Sequence, residues 1–465
     1  MSIESLFQQH QQQFNAEPYP SLATRKQRLQ RLAELLQQYN PALQQAVASD
    51  FGQRSRVETQ LLEIAPSLQG IKYQLSQLKG WLKPQRRAVH YTFAPAKNFV
   101  LAQPLGVVGI IVPWNYPIFL ALSPLMAALA AGNQVMLKLS EFTPATNAVL
   151  TKMLAEGLTD CVSVVQGDAN IAAAFAALPF DHLLFTGSTA VGRKVMQAAA
   201  ANLTPVTLEL GGKSPALLTA DTDLAHFSQR LLFGKTANAG QTCVAPDYVL
   251  VPKARITALI NQLQADFTKL YPDFATNPDY SAVINSQHYQ RLHQLLSEAL
   301  AKGATAYPCA VIGSEQQQQQ RRLPLTLLVD VPEECQILQQ EIFGPLLPII
   351  GYDSFEQALD YIKSRPRPLA LYLFSEDKRL QQRVLTQTHA GGVCINDTLL
   401  HVAQEDLPFG GIGPSGLGNY HGPEGFWRFS HAKAVHQKGR FSSSILIYPP
   451  FNRPLFKALL KWLMR

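Results

Sequence analysis

The sequence predicts an α/β protein built on doubly wound parallel sheets, and two patterns carry that prediction. From Pro104 to Leu210 short apolar runs alternate with helical periods, and Val107 to Val112, Gln134 to Leu139, Cys161 to Val165, His182 to Thr186 and Val206 to Leu210 read as strands. Apolar strands that alternate with helical periods imply a parallel sheet covered on both faces. From Gly211 to Asn396 a second such series follows, with strands at Pro215 to Thr219, Tyr248 to Val251, Leu325 to Val329, Leu369 to Phe374 and Gly392 to Ile395. This second α/β lobe and the first would bind ligands beyond the carboxyl ends of their strands.

The flanking elements follow in chain order. Pro20 to Gly52 is helical in period, with Leu29, Leu32, Leu35 and Leu36 on one face and Arg25, Lys26, Gln30 and Arg31 expected to face away. A second helix is expected from Glu58 to Trp81. Residues 86–103 turn strand-like (Val89, Tyr91, Phe93, then Phe99, Val100, Leu101) around Pro95, which predicts a projecting hairpin. The apolar stretch from Ile118 to Gly132 is too short to span a bilayer and reads as a buried helix. The run Gln316 to Gln320 reads as a low-complexity surface loop. Ser442 to Tyr448 reads as a late strand, and 451–465 as an amphipathic tail in which Lys457, Lys461 and Arg465 form a basic stripe.

A chain of 465 residues, 47% of them hydrophobic, is long enough for two or three lobes. The net charge of +7 is scattered along the chain, which points to a solvated surface and away from nucleic acid. Five cysteines without framework spacing read as reduced thiols of a cytoplasmic protein, and the polar, Gln-rich start predicts no signal peptide. No metal site is expected.

The residues that bear chemistry lie in five stretches. Cys243 stands among small, flexible residues in Asn238-Ala239-Gly240-Gln241-Thr242-Cys243-Val244, where a thiol can be reached. Pro113-Trp114-Asn115 closes the first strand of the parallel series and puts a side-chain amide where it can meet a developing oxyanion. Phe185-Thr186-Gly187-Ser188-Thr189-Ala190-Val191-Gly192 runs from strand to helix through a glycine turn, and the helix start offers N–H groups to a phosphate, though Thr189 stands where a dinucleotide fingerprint has its second glycine. Leu208-Glu209-Leu210 places a carboxylate at the end of an apolar strand, where burial would raise its pKa and suit it to act as a base. Glu341-Ile342-Phe343-Gly344-Pro345 sets a carboxylate before a tight turn.

With Lys138-Leu139-Ser140-Glu141 and Pro408-Phe409-Gly410-Gly411, these stretches resemble the aldehyde dehydrogenase superfamily in the right order over nearly the whole chain. The Lys-x-Ser-Glu motif, Tyr420-His421-Gly422 and Tyr448-Pro449-Pro450-Phe451 are similar to the short branch of fatty, aromatic and coniferyl aldehyde dehydrogenases. The resemblance implies an NAD(P)-binding domain over 1–85 and 104–210, a catalytic domain over 211–396, a small β bridging or oligomerisation extension over 86–103 and 397–450, and a homodimer. It implies that Cys243 is the nucleophile, Asn115 the oxyanion donor and Glu209 the base that activates water. For the cofactor, NAD or NADP, it implies Lys138 and Glu141 at the adenosine ribose, Gly187, Ser188 and Gly192 at the pyrophosphate turn, Glu341 at the nicotinamide ribose and Phe343 near the nicotinamide, with Trp114 also among the cofactor-binding residues. For an apolar aldehyde it implies a wall of Tyr116, Phe119, Leu120, Thr242 and Phe409. A CoA-acylating enzyme needs no water-activating base, so Glu209 argues against that alternative, and the retained Cys243, Asn115 and Glu209 argue against a catalytically silent binding protein. The tail is expected either to contact a membrane surface peripherally or to pack beside the substrate tunnel.

Overall fold

The computed structural model describes residues 2–440 and 448–464, and the late strand expected at Ser442 to Tyr448 falls almost wholly outside them. In chain order, β1 (Gln85–Arg87) and β2 (Ala96–Pro104) precede a parallel series of β3 (Val107–Ile111), β4 (Gln134–Lys138), β5 (Val162–Val165), β6 (His182–Gly187) and β7 (Val206–Leu210). The second series comprises β8 (Pro215–Leu218), β9 (Tyr248–Pro252), β10 (Thr305–Pro308), β11 (Thr326–Val329), β12 (Leu346–Tyr352), β13 (Ala370–Phe374) and β14 (Gly392–Ile395), followed by β15 (Gly416–Leu417) and β16 (Ser430–Lys438).

Three sheets result. The first lobe orders its strands β15-β7-β6-β3-β4-β5, parallel except for β15, and the second orders them β10-β11-β12-β9-β8-β13-β14, parallel except for β10. In the first lobe the order reverses between β3 and its neighbour β6, so a crevice opens beyond the carboxyl ends of these two strands. That is where Pro113-Trp114-Asn115 and Gly187-Ser188 stand. The hairpin of β1 and β2 is completed by β16, which pairs with β2 over nine residues in a three-stranded extension.

The helix Phe119–Ala131 is the centre of the first lobe, and every one of its residues is buried. Both its ends are met by charge of the sign its dipole calls for. At its start the Glu63 carboxylate accepts from the N–H groups of Ile118 (2.8 Å) and Phe119 (3.2 Å). At its end the Arg25 guanidinium donates to the carbonyls of Ala130 (3.1 Å) and Ala131 (2.5 Å). Arg25 therefore does not face away from the core as its helix pattern suggested. It is 0% exposed and passes so close to Gly132 (φ +94°) that a Cβ there would lie 2.7 Å from the guanidinium carbon.

The first long helix is Leu22–Phe51, and the second expected helix runs from Arg56 to Trp81 through a π turn at Gln60–Ile64. Three further readings are corrected. Tyr91–Phe93 is a 3₁₀ turn, because the chain must reverse there between β1 and β2. The glutamine run is a short helix, Ser314–Gln320, ended by Arg321 in the left-handed region. β10, β12, β15 and β16 were not anticipated as strands. Among the described residues no helix is long and apolar enough to cross a membrane.

Candidate active site

The crevice between β3 and β6 deepens into a cavity of about 430 Å³ that reaches the second lobe. Its lining includes Trp114 and Asn115 after β3, Thr186 to Ala190 at and beyond the end of β6, Glu209 on β7, Cys243, and Glu341 and Phe343 before β12. All three residues expected to be catalytic thus share one cavity, as do Trp114, Gly187, Ser188, Glu341 and Phe343.

The cysteine sits on an unusual backbone. Asn238 (φ +50°), Ala239 (φ +52°) and Gly240 (φ +75°) are successive left-handed residues, which leaves the turn strained at Ala239 by roughly 1–2 kcal/mol. Glycine is required at 240, where a Cβ would lie 2.5 Å from the Gly344 carbonyl oxygen. Asn238 tolerates its conformation because its amide donates to the carbonyls of Asn115 (2.9 Å) and Gln241 (3.3 Å). The Gln241 side chain is fully used, donating to the carbonyls of Asn238 (2.9 Å) and Ala282 (3.0 Å) and accepting from the Ile284 N–H (2.9 Å). The turn is therefore locked from both sides, and Cys243 remains partly exposed at its end.

Asn115 is tied to the same turn. Its side-chain nitrogen donates to the Gln241 carbonyl at 3.1 Å, and its own carbonyl accepts from Arg54 at 2.8 Å. Arg54, buried with its guanidinium over the rings of Phe51 (5.0 Å) and Tyr116 (4.8 Å), also pairs with Glu58 and Glu63 at 3.3 Å each. Glu58 in turn accepts from the Asn238 N–H at 3.0 Å. Arg54, Glu58 and Glu63 were not singled out from the sequence, where the i, i+4 spacing of Arg54 and Glu58 was their only local signal.

The electrostatics are dominated by burial. Both oxygens of Glu209 are buried without a hydrogen-bond partner, and burial, eased by the charge of Arg428, raises its pKa well above 4.5. Glu341, whose carboxylate lies over Gly211, is pushed up to about 8 by burial and by Asp247, against the Gly212 N–H, Lys213 and Arg291. The Cys243 thiol is pushed up to about 12 by burial, then by Glu341 and Glu209. It rests as a thiol, beside two carboxyl groups whose pKa values are raised as well, so only their ionised forms can take its proton.

The lining also fits a nucleotide. Ser188 caps the helix Thr189–Ala200, which opens onto the cavity with its first N–H groups, and the buried Thr186 hydroxyl beside it has no partner in the protein. Trp114 and Phe343 meet edge to face (5.3 Å, 78°), with His288 against Trp114 (4.9 Å). Gly192 does not reach the cavity. It faces Leu210, and a Cβ there would lie 2.6 Å from that side chain, so it serves close packing of helix on sheet. Lys138 and Glu141 form a 3.8 Å ion pair at the end of β4, outside the cavity lining. Tyr116, Phe119, Leu120, Thr242 and Phe409 are buried but do not line it either; Tyr116 and Thr242 share a hydrogen bond of 2.7 Å. Among the described residues no cluster of three or more His, Cys, Asp or Glu could hold a metal ion.

Fold and cavity together define a two-lobed oxidoreductase with a Rossmann-like sheet set against a cysteine-bearing α/β lobe. The chain belongs to the aldehyde dehydrogenase family, whose sequence profile matches residues 2–435. It is 53% identical over 464 residues to a Pseudomonas aeruginosa protein named "Probable coniferyl aldehyde dehydrogenase", covering 100% of this chain and 96% of that one. It is similar to the solved structure of Staphylococcus aureus AldH in a substrate-bound state, with a TM-score of 0.93 and 38% identity over the whole of both chains. It is similar also to a Mycobacterium tuberculosis aldehyde dehydrogenase complexed with NAD+ (TM-score 0.84, 28% identity, covering 94% of this chain and 90% of that one).

Proposed function

We propose that this enzyme oxidises an apolar aldehyde, aromatic or long-chain, to the carboxylic acid through a thioester on Cys243. The observation that carries the reading is the convergence of Cys243, Asn115 and Glu209 on one cavity at the sheet's switch point. The thiol proton passes to a neighbouring carboxyl group in its ionised form, and the sulfur adds to the carbonyl carbon. The carbonyl oxygen takes the electron pair and is met by the Cys243 backbone N–H and by the Asn115 amide hydrogen not used on Gln241, a donor worth about 3–4 kcal/mol in the transition state. A bound nicotinamide supplies the acceptor for the hydride that turns the thiohemiacetal into a thioester. Glu209 then takes a proton from water as the water oxygen attacks the thioester carbon, and the breaking C–S bond returns the electron pair to Cys243.

Trp114, Gly187, Ser188, Glu341 and Phe343 would hold the nucleotide, with Lys138 and Glu141 at its adenosine ribose. A carboxylate at Glu141 accepts from a 2′-hydroxyl and repels a 2′-phosphate, which favours NAD, while the adjacent Lys138 leaves NADP acceptable. The buried aromatic and aliphatic side chains of Tyr116, Phe119, Leu120 and Phe409 suit an apolar aldehyde, in keeping with the name of the Pseudomonas relative. The outer edge of β16 faces solvent and supports a homodimer formed by extending the three-stranded sheet. Aldehyde-dependent NADH formation with and without CoA tests the chemistry. Free acid and NADH in equal amounts without CoA are expected, and a requirement for CoA would overturn the reading.

A further inference from the structure

Phe119 and Phe409, side chains of the proposed substrate wall, touch His421, one of two histidines in this part of the chain whose hydrogen-bonding capacity the protein leaves unused. His421 is 2% exposed, and neither of its ring nitrogens has a partner. Its ring stacks on Phe409 (5.3 Å, 23°) and meets Phe119 edge to face (6.1 Å, 74°). Both ring nitrogens of His401 are likewise buried and unpartnered. His401 lies 5.9 Å from the ring of Tyr372, whose hydroxyl donates to the carbonyl of Val244, the residue after Cys243.

Two further observations set His421 apart from an ordinary core histidine. Its backbone (φ +116°, ψ 150°) occupies a region essentially confined to glycine, and strain of that kind persists where the surroundings hold a residue to a task. The neighbouring Tyr420 hydroxyl is held up by burial and by the charges of Glu209 and Cys243, so this turn runs beside the reacting groups. Burial keeps both imidazoles neutral at pH 7, with His421 pushed down to about 3 and His401 to about 4. Each therefore offers one N–H and one bare nitrogen, and a protein interior does not leave such groups unmet without cost.

We propose that His421 and His401 form a polar subsite beside the rings of Phe119 and Phe409 that recognises the phenolic hydroxyl of an aryl aldehyde. The phenol O–H donates to a bare imidazole nitrogen, and its oxygen accepts from an imidazole N–H. A long-chain aliphatic aldehyde has nothing to offer these groups, so the subsite selects the hydroxylated aromatic within the apolar class on which this inference rests.

The test compares 4-hydroxycinnamaldehyde with cinnamaldehyde, which differ only in the hydroxyl. In the native enzyme kcat/KM should favour the hydroxylated aldehyde by about tenfold or more, carried mainly in KM, because a site built to bond a hydroxyl rejects the analogue lacking it. His421→Phe should bring the ratio to within about threefold of unity, His401→Leu should lower it, and His421→Asn, which tolerates positive φ and keeps a donor and an acceptor, should retain part of it. A ratio near one in the native enzyme, or a ratio undiminished in His421→Phe and His401→Leu, overturns the proposal. If His421→Phe does not fold, the native ratio and the other two variants decide. Calorimetric binding of the same two aldehydes to Cys243→Ala reads the preference without turnover. Failure of oxidation and failure of the hydroxyl contact are thereby seen separately.

Discussion

The side-chain amide of Asn115 donates to the main-chain carbonyl of Gln241, two residues before Cys243, at 3.1 Å. One amide hydrogen is thus committed to position, and the other is left for the oxyanion. Because its anchor belongs to the nucleophile's own turn, donor and thiol are held in register. Asn115→Ala is expected to lower kcat by about 10²–10³ with the dissociation constant for NAD within a factor of about three of native, as for other oxyanion donors. Stopped-flow NADH formation and nucleotide titration check this; a loss confined to nucleotide affinity would assign Asn115 to the cofactor.

Glu209→Gln keeps the shape of the side chain but cannot accept a proton from water. NADH should appear in one burst of about one equivalent per active site, followed by a steady state slowed by two or more orders of magnitude. Acid-quenched protein should carry the acyl group on Cys243 in mass spectra. Unchanged steady-state turnover would place the base elsewhere, with Glu341 the first alternative because it weighs more heavily on the Cys243 thiol.

Glu341 predicts a pH dependence of stability. Its pKa is raised from 4.5 to about 8, so between these values the folded chain retains a proton that the unfolded chain has released. The stabilisation is complete below pH 4.5 and is lost as the pH rises through 8. Tm should therefore fall from pH 5 to pH 8, and Glu341→Gln, neutral throughout, should flatten that slope. Glu209 acts in the same direction, so some slope should remain. A slope identical in Glu341→Gln and native protein would show the carboxyl to be ionised in the folded state.

The Arg54 guanidinium joins Asn115, Glu58 and Glu63. Arg54→Met leaves two buried carboxylates without their counter-charge and should cost about 3–5 kcal/mol in denaturant unfolding. Arg54→Met with Glu63→Gln should recover part of that loss. Arg54→Lys keeps the charge without the planar fork, so it should retain stability better than it retains kcat. Equal losses of stability in Arg54→Met and the double variant would mean that the ion pairs do not couple.

The contrast between what was legible and what was not follows the range of the interactions. β3 to β7 were plain because strands buried on both faces are predominantly apolar, and helices between them leave only a parallel sheet. β10 was missed because it is a largely exposed edge strand with no apolar pattern. β12 was missed because Pro348 and Gly351 interrupt the Leu346 to Tyr352 run, and both residues ordinarily argue against a central strand. That Asn115, Glu209 and Cys243 would meet was legible because each lies in a short motif at or near a strand end or a tight turn, and the three line one cavity. Arg25, Arg54 and His421 could not be read in this way, because their meaning lies in carbonyls, carboxylates or rings that only the fold brings to them. The glutamine run shows a compositional reading giving way to helix propensity, as glutamine forms helices well.

The tail raises a different question, because its helix Pro454–Leu463 buries none of its residues. Leu455 is 66% and Trp462 55% exposed, and Trp462 meets Tyr91 of the 3₁₀ turn at 5.6 Å. An apolar face of this kind, with Lys457 and Lys461 beside it, is expected to be covered by something outside its own subunit. Ten residues make a marginal helix in water, so removing the cover should also loosen the helix. Removal of residues 454–465 should abolish co-sedimentation with anionic vesicles and leave kcat/KM for short aromatic aldehydes unchanged, if a lipid surface is the cover. Lost activity towards long-chain aldehydes without any change in sedimentation would place the helix at the substrate tunnel, and a shift in mass by light scattering would place it in the dimer interface. Unaltered sedimentation, kinetics and mass together would show that this face has no partner.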